Sequence, residues 1–95
     1  MPYKILITPT ALLDIDTAVN YYNSKAADLG YKFSETIALY FSTIAEIPTA
    51  SSVRYKDIRC KPLLRFPYLI MYTINEAEQS VNILRIFNTY QEPIW

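Results

Sequence analysis

Three cations crowd the stretch RCKPLLRFPYLIMYTI, residues 59–74: Arg59, Lys61 and Arg65 stand ahead of and inside a run that otherwise reads as core. A fourth, Arg85, lies within VNILRIF, and Tyr90 follows shortly after it. Burying an unpaired guanidinium costs several kcal/mol, on the order of ~3–5, so each of these arginines must reach water, a carboxylate or an anion. A guanidinium at the turn before a strand, as at Arg65, can brace a phosphate by charge and by two parallel hydrogen bonds; its other readings are a solvated turn residue or a partner of Glu46 or Asp57. The phenol of Tyr90 has a reference pKa of about 10, so it would act as a base only beside strong cations, and otherwise it packs.

Composition removes several chemistries. The chain has no histidine, and hence neither the commonest general acid/base nor any histidine triad. Its single cysteine, Cys60, forms no internal disulfide and no thiolate metal cluster, and reads as a small apolar core residue. No metal and no cofactor is expected. Formal net charge is zero, against the basic field of a free-standing nucleic-acid binder. The cations are concentrated, however: Arg54, Lys56, Arg59, Lys61 and Arg65 lie within twelve residues, offset there only by Asp57, whereas residues 1–53 are mildly acidic. Lys56, Arg59 and Lys61 suit a phosphate backbone or an acidic protein segment equally. No apolar run approaches the ~18 residues of a membrane span, and MPYKILIT is too short for a signal sequence's apolar segment. A cytoplasmic protein with no membrane partner is expected.

The elements that must position these residues can be read from periodicity. YKILIT, residues 3–8, alternates as a strand, and Thr8-Pro9 suits a helix start. Leu12, Ile15, Ala18, Val19 and Tyr22 then recur at helical spacing, with Asp14, Asp16, Asn20 and Asn23 assigned to the opposite side. A second helix is expected from near Ala26, with Leu29, Phe33, Ile37, Tyr40, Ile44 and Ile47 as its stripe and Pro48 as its stop. Its Gly30, the only glycine, is expected at a close approach to the first helix. Residues 48–57 read as loop. Three strand-like runs follow, around Ile58–Leu64, Tyr68–Ile74 and Val81–Phe87; Pro62 in the first calls for an edge, a bulge or a bend. By strand alternation Arg59, Lys61 and Leu63 share one face, and Cys60 and Ile58 the other. The tail TYQEPIW is expected to dock through Trp95. The resulting fold class is α+β in one domain, residues 1–95: an N-terminal strand, an antiparallel two-helix hairpin and a three-stranded antiparallel meander completing one sheet.

In this order the chain resembles the RelE/ParE superfamily of toxins from bacterial type II toxin-antitoxin modules. YKILITPTALLDIDTAVNYY is similar to that family's first strand and helix, and ADLGYKFSETIALYFSTIAEIP to its second helix. IRCKPLLRFPYLIMYTI resembles its most diagnostic block, Arg-x-x-Pro-Leu followed by Arg-Phe-Pro-Tyr and an apolar strand, and VNILRIFN its last strand. The resemblance spans nearly the whole chain and implies a helical hairpin on a four- to five-stranded sheet.

It also implies two functional branches. Members similar to RelE are ribosome-dependent messenger-RNA endoribonucleases; members similar to ParE inhibit DNA gyrase without a known catalytic centre; both are neutralised by a cognate antitoxin. For a ribonuclease the resemblance implies Arg65, Arg85 and Tyr90 as the catalytic set. Many relatives place a histidine and further basic residues after the last strand, where this chain has Asn88-Thr89-Tyr90-Gln91-Glu92-Pro93. The long hairpin and the Phe-Pro-Tyr turn resemble the ParE branch. The leading expectation is therefore a ParE-like, plasmid-stabilisation type toxin that binds a protein target such as DNA gyrase. Lys56, Arg59, Lys61, Arg65 and Arg85 are its expected target- or RNA-binding residues. The alternatives are a histidine-free ribonuclease acting on messenger RNA at the ribosome and a binding module without toxicity. Without its antitoxin, the chain is expected to expose enough apolar surface to form a homodimer.

Overall fold

In a computed structural model of the chain, which describes residues 2–90, two helices lie against one face of a five-stranded sheet. The first strand, β1 (Lys4–Ile7), runs into α1 (Pro9–Lys25), α2 (Leu29–Glu46) and a short 3-10 turn at Pro48–Ala50. The strands β2 (Val53–Tyr55), β3 (Ile58–Pro62), β4 (Tyr68–Asn75) and β5 (Ser80–Asn88) follow. Sheet order is β1-β5-β4-β3-β2, with β1 parallel to β5 and every other pair antiparallel. The expectation for Trp95 lies outside the described residues. Among those described, no helix is long and apolar enough to cross a membrane.

Thr8 makes the turn from β1 into α1. Its hydroxyl accepts the N–H of Ala11 at 3.1 Å, capping the helix, and donates to the Ile83 carbonyl at 2.9 Å, which ties the cap to β5. The buried stripe of α1 is Ala11 and Ala18, flanked by half-buried Asp14, Ile15, Val19 and Tyr22. Leu12, expected inside, is 52% exposed. Asp14, expected on the outer side, faces β5 instead, whereas Asn23 is exposed as expected and reaches α2 through its side-chain oxygen. The small Ala11 lets α1 approach the sheet closely, and the stripe rotates about it.

Ala26 caps α1 instead of opening α2, and Asp28, at φ 69°, reverses the chain. Phe33, Ile37 and Ile44 are buried as expected, whereas Ile47, beyond the helix end, is exposed. Gly30 is a close-approach position: a Cβ there would stand 2.6 Å from the Val19 carbonyl and collide with the Asn23 side chain, which accepts the Gly30 N–H at 3.0 Å.

The segment read as loop holds β2, a three-residue hairpin partner too short to show an alternating pattern, joined to β3 through Lys56 at φ 51°. The meander therefore has four strands. Pro62 is tolerated because β2 pairs only with Ile58 and Arg59, leaving the outer side of β3 bare where the proline falls.

Tyr68, Ile70 and Tyr72 of β4 and Val81, Ile83 and Ile86 of β5 form the core with the helices. The Tyr72 hydroxyl, fully buried, donates to the Pro48 carbonyl at 2.6 Å. On the other face of the sheet Cys60, Met71 and Phe87 make a smaller cluster with Ile58 and Leu69. Cys60 is thus a core residue, and burial pushes its thiol pKa up. In β5, Ile83 faces Tyr72 and Arg85 faces Met71, so Leu84 is an extra residue, a bulge just past the end of β1.

Candidate binding surface

The bulge leaves Arg85 at the bare edge of β5, and α1 meets it there. Asp14 accepts Arg85 Nε at 2.8 Å and Nη2 at 3.2 Å, and also the Ile86 N–H at 3.0 Å. One carboxylate thus neutralises the arginine and occupies the place of a missing strand partner. The hydrogen bonds to Asp14 raise the Arg85 pKa above its ordinary value, outweighing the opposing effect of desolvation. Its guanidinium also stands 5.9 Å from the Phe87 ring centre. Arg59 is held as well, donating to the carbonyls of Ser51 at 2.7 Å and Thr49 at 3.4 Å, and so it closes the segment between α2 and β2.

Arg65 differs. It is exposed, and among the described residues it makes no hydrogen bond or ion pair, with Glu46 or Asp57 included. It lies on the turn Leu64–Phe66, whose shape is fixed from two sides. The Tyr40 hydroxyl accepts the Leu64 N–H at 3.1 Å, and the Phe66 ring stacks edgewise on Tyr22 and Phe33, centre to centre 5.0 Å in each case. With Tyr68 these rings form an aromatic wall.

Two hollows border that wall. One, of about 300 Å³, is lined by Thr17, Tyr21, Tyr22, Pro67, Tyr68, Asn88 and Tyr90. Burial pushes the Tyr22 phenol up to about 12 and raises that of Tyr68 too, so both stay protonated near neutral pH. Tyr90 is 86% exposed there, its N–H on the Asn88 side-chain oxygen at 2.9 Å. The other hollow is an open trough of about 780 Å³ between α2 and the turn, with Leu29, Leu39, Tyr40, Leu64 and Phe66 as its apolar surface and Lys32, Glu35 and Arg65 as its charges. Lys61 joins it through Tyr40, its Nζ standing 5.8 Å from the ring centre.

Of the residues singled out in sequence, Lys61 and Arg65 are thus brought to one surface. Arg59 and Arg85 are tied to groups of the chain itself, Lys56 sits on the β2–β3 hairpin with its Nζ 5.5 Å from the Tyr55 ring centre, and Tyr90 lies in the other hollow. Lys32, Leu39 and Leu64 were not singled out. Lys32 and Leu39 fall off the buried stripe of α2, and Leu64 follows Pro62-Leu63 into a turn, positions at which exposure is expected.

Among solved structures, the chain superposes on one from the chromosomal ParDE TA system of P. aeruginosa with a TM-score of 0.77, over 90% of this chain and 95% of that one, at 18% identity. The chain has the RelE/ParE fold. A chain of the toxin-antitoxin complex RelBE2 (Rv2865-2866) from Mycobacterium tuberculosis gives a TM-score of 0.63 at 20% identity, over 93% of this chain and 99% of that one. No family model and no curated protein matches the sequence. The five-stranded sheet of this chain holds its N-terminal strand parallel to β5, so that Thr8 and Asp14 meet β5 where β1 ends.

Proposed function

We propose that the chain is the toxin of a type II toxin-antitoxin module that acts by occupying a protein target, and that a cognate antitoxin neutralises it. The fold shared with chains from ParDE and RelBE2 assemblies supports the module. The separation of the three candidate catalytic groups supports binding over cleavage. Arg85 is committed to Asp14, while Arg65 and Tyr90 line two different hollows that share no lining residue. A scissile phosphate needs its charge stabiliser and its proton acceptor within about 3 Å of the reacting atoms. DNA gyrase, in the bacterial cytoplasm, is the target the resemblance implies.

The test is induced expression in bacterial cells, with and without the protein encoded by the adjoining reading frame, followed by supercoiling and RNA-integrity assays on purified protein. Growth arrest relieved by the partner, inhibited supercoiling and intact messenger RNA on translating ribosomes are expected. Ribosome-dependent cleavage abolished by Arg65→Ala would replace this reading with the ribonuclease, and unimpaired growth without a partner would replace it with a non-toxic binding module.

A further inference from the structure

The smaller hollow, of about 300 Å³, is built almost wholly of rings. Tyr21, Tyr22, Pro67, Tyr68 and Tyr90 supply five of them and Thr17 and Asn88 the remaining side chains, so that among the described residues no charged group lines it. Its volume lies at the lower end of the ~300–1,000 Å³ of ligand pockets, which suits a short motif. The floor is set before any ligand arrives. The Thr89 N–H donates to the Pro67 carbonyl and the Tyr68 N–H to the Phe66 carbonyl, both at 2.8 Å, which fixes the turn that carries Pro67. Tyr22 stands edgewise to Tyr21 and to Tyr68, at centre distances of 5.2 and 6.3 Å. The walls are open, with Tyr21 53% and Tyr90 86% exposed.

Hydrogen-bonding capacity decides what fits. Two carbonyl oxygens of the lining are already spent, that of Pro67 on the Thr89 N–H and the side-chain oxygen of Asn88 on the Tyr90 N–H at 2.9 Å, and Pro67 has no N–H of its own. What remains is protons. The hydroxyls of Thr17, Tyr21 and Tyr90 donate to nothing among the described residues, and burial keeps Tyr22 and Tyr68 protonated near neutral pH. A matching ligand is uncharged, presents apolar rings and offers acceptors without N–H groups that would go unpaired. Proline-rich chain has this chemistry: a pyrrolidine ring and a carbonyl at each proline, no amide proton, and an extended polyproline II helix that is ordered before it binds. A nucleic acid would bring phosphates to a lining without a cation. An ammonium ligand would find no carboxylate there, and Lys25 Nζ already stands 5.1 Å from the Tyr21 ring centre. We infer that, independently of the toxin assignment, this hollow docks a proline-rich segment of a partner protein in the polyproline II conformation, its rings against Tyr21, Pro67 and Tyr90 and its carbonyls accepting from the phenol hydroxyls.

The probe is a fluorescently labelled oligoproline of about three turns, with a glycine-serine peptide of the same length as the control and a single-stranded RNA oligomer as a competitor. The intact chain is titrated into each labelled peptide and anisotropy is read at low and raised salt. Saturable binding of the oligoproline is expected, indifferent to salt because the contact carries no charge, and about tenfold or more weaker for the glycine-serine peptide. Tyr21→Ala and Tyr90→Ala should each weaken it about fivefold to tenfold. Tyr90→Phe, which keeps the ring and loses the hydroxyl, should weaken it less, and Arg65→Ala, in the other hollow, should leave it unchanged. Circular dichroism confirms that these surface variants stay folded. The inference is overturned if the oligoproline fails to bind, if the glycine-serine peptide binds as tightly, or if neither tyrosine substitution weakens binding. Abolition of binding by salt, or displacement of the oligoproline by the RNA, would overturn it equally, the latter in favour of a nucleic-acid site.

Discussion

Replacing Asp14 by alanine removes three hydrogen bonds at one stroke: two from Arg85, at 2.8 and 3.2 Å, and one from the Ile86 amide at 3.0 Å. The Arg85 guanidinium is left half-buried beside Phe87, and the Ile86 N–H is left at a strand edge that β1 no longer covers. The ion pair is partly exposed, with 32% of the arginine side chain and 17% of the aspartate side chain open to solvent. Water therefore recovers part of the loss, and the full penalty of a broken buried pair does not apply. About 1 kcal/mol for the amide and about 1–2 kcal/mol for the uncompensated charge give about 2–3 kcal/mol, a fall in Tm of about 10–20 °C for a domain of this size. Asp14→Asn, which keeps an acceptor for Ile86, should lose roughly half of that. Arg85→Ala should cost about 1–2 kcal/mol, because Asp14 keeps the amide and can be hydrated. The cycle completed by the double variant, measured by denaturant unfolding, should give a coupling of about 1–2 kcal/mol. A loss below about 0.5 kcal/mol for Asp14→Ala, or additive single variants, would refute the assignment of Arg85 to structure and return it to the pool of residues free for an anion.

Gly30→Ala gains about 1 kcal/mol of helix propensity but drives a methyl group against the Val19 carbonyl and the Asn23 side chain. Overpacking of that kind costs typically ~1–3 kcal/mol, so a net drop in Tm is expected, and a rise would show that the helices can part without penalty. Alkaline titration should reveal Tyr22, whose phenol is raised by burial from 10.0 to about 12. Its protonated form is favoured by folding, so the contribution is complete below pH 10 and fades as pH rises from there to about 12, because the unfolded chain gives up the proton first. A loss of about 1–2 kcal/mol over that window is expected, smaller in Tyr22→Phe, with thermal melts at stepped pH as the measurement.

Most of the framework was legible because it is written in local periodicity. The Thr8-Pro9 helix start, the Phe33, Ile37 and Ile44 stripe, and the alternation placing Cys60 opposite Arg59 and Lys61 all follow from spacing within one element. β2 was not legible, since three residues cannot display a period of two, and it is held by a hairpin register that composition does not encode. The partner of Arg85 was half legible. The strand demanded water, a carboxylate or an anion for it, but Asp14 is 71 residues away, and taking Leu12 as an inward position turned the helix so that Asp14 pointed outward. Starting the stripe at Ala11 instead places Ala11, Asp14, Ala18 and Tyr22 together. The candidate surface was legible only in part, because exposure at Leu64 and the tying of Arg59 to the Ser51 carbonyl are tertiary facts.

The pairing of β1 with β5 has a consequence for the order of assembly. Among the described residues, the only strand partner of Lys4–Ile7 is Ser80–Ile83, and the N-cap hydroxyl of α1 donates into that same segment. Ribosomes deliver a chain from its amino end, so β1 is made well before the strand that satisfies its backbone. The helical hairpin can form early from neighbouring residues, yet its inner stripe has no sheet to cover it until β4 and β5 emerge. The arrival of β5 is thus the closing step for this sheet, and a product lacking Ser80–Asn88 has neither the partner of β4 nor an attachment for β1.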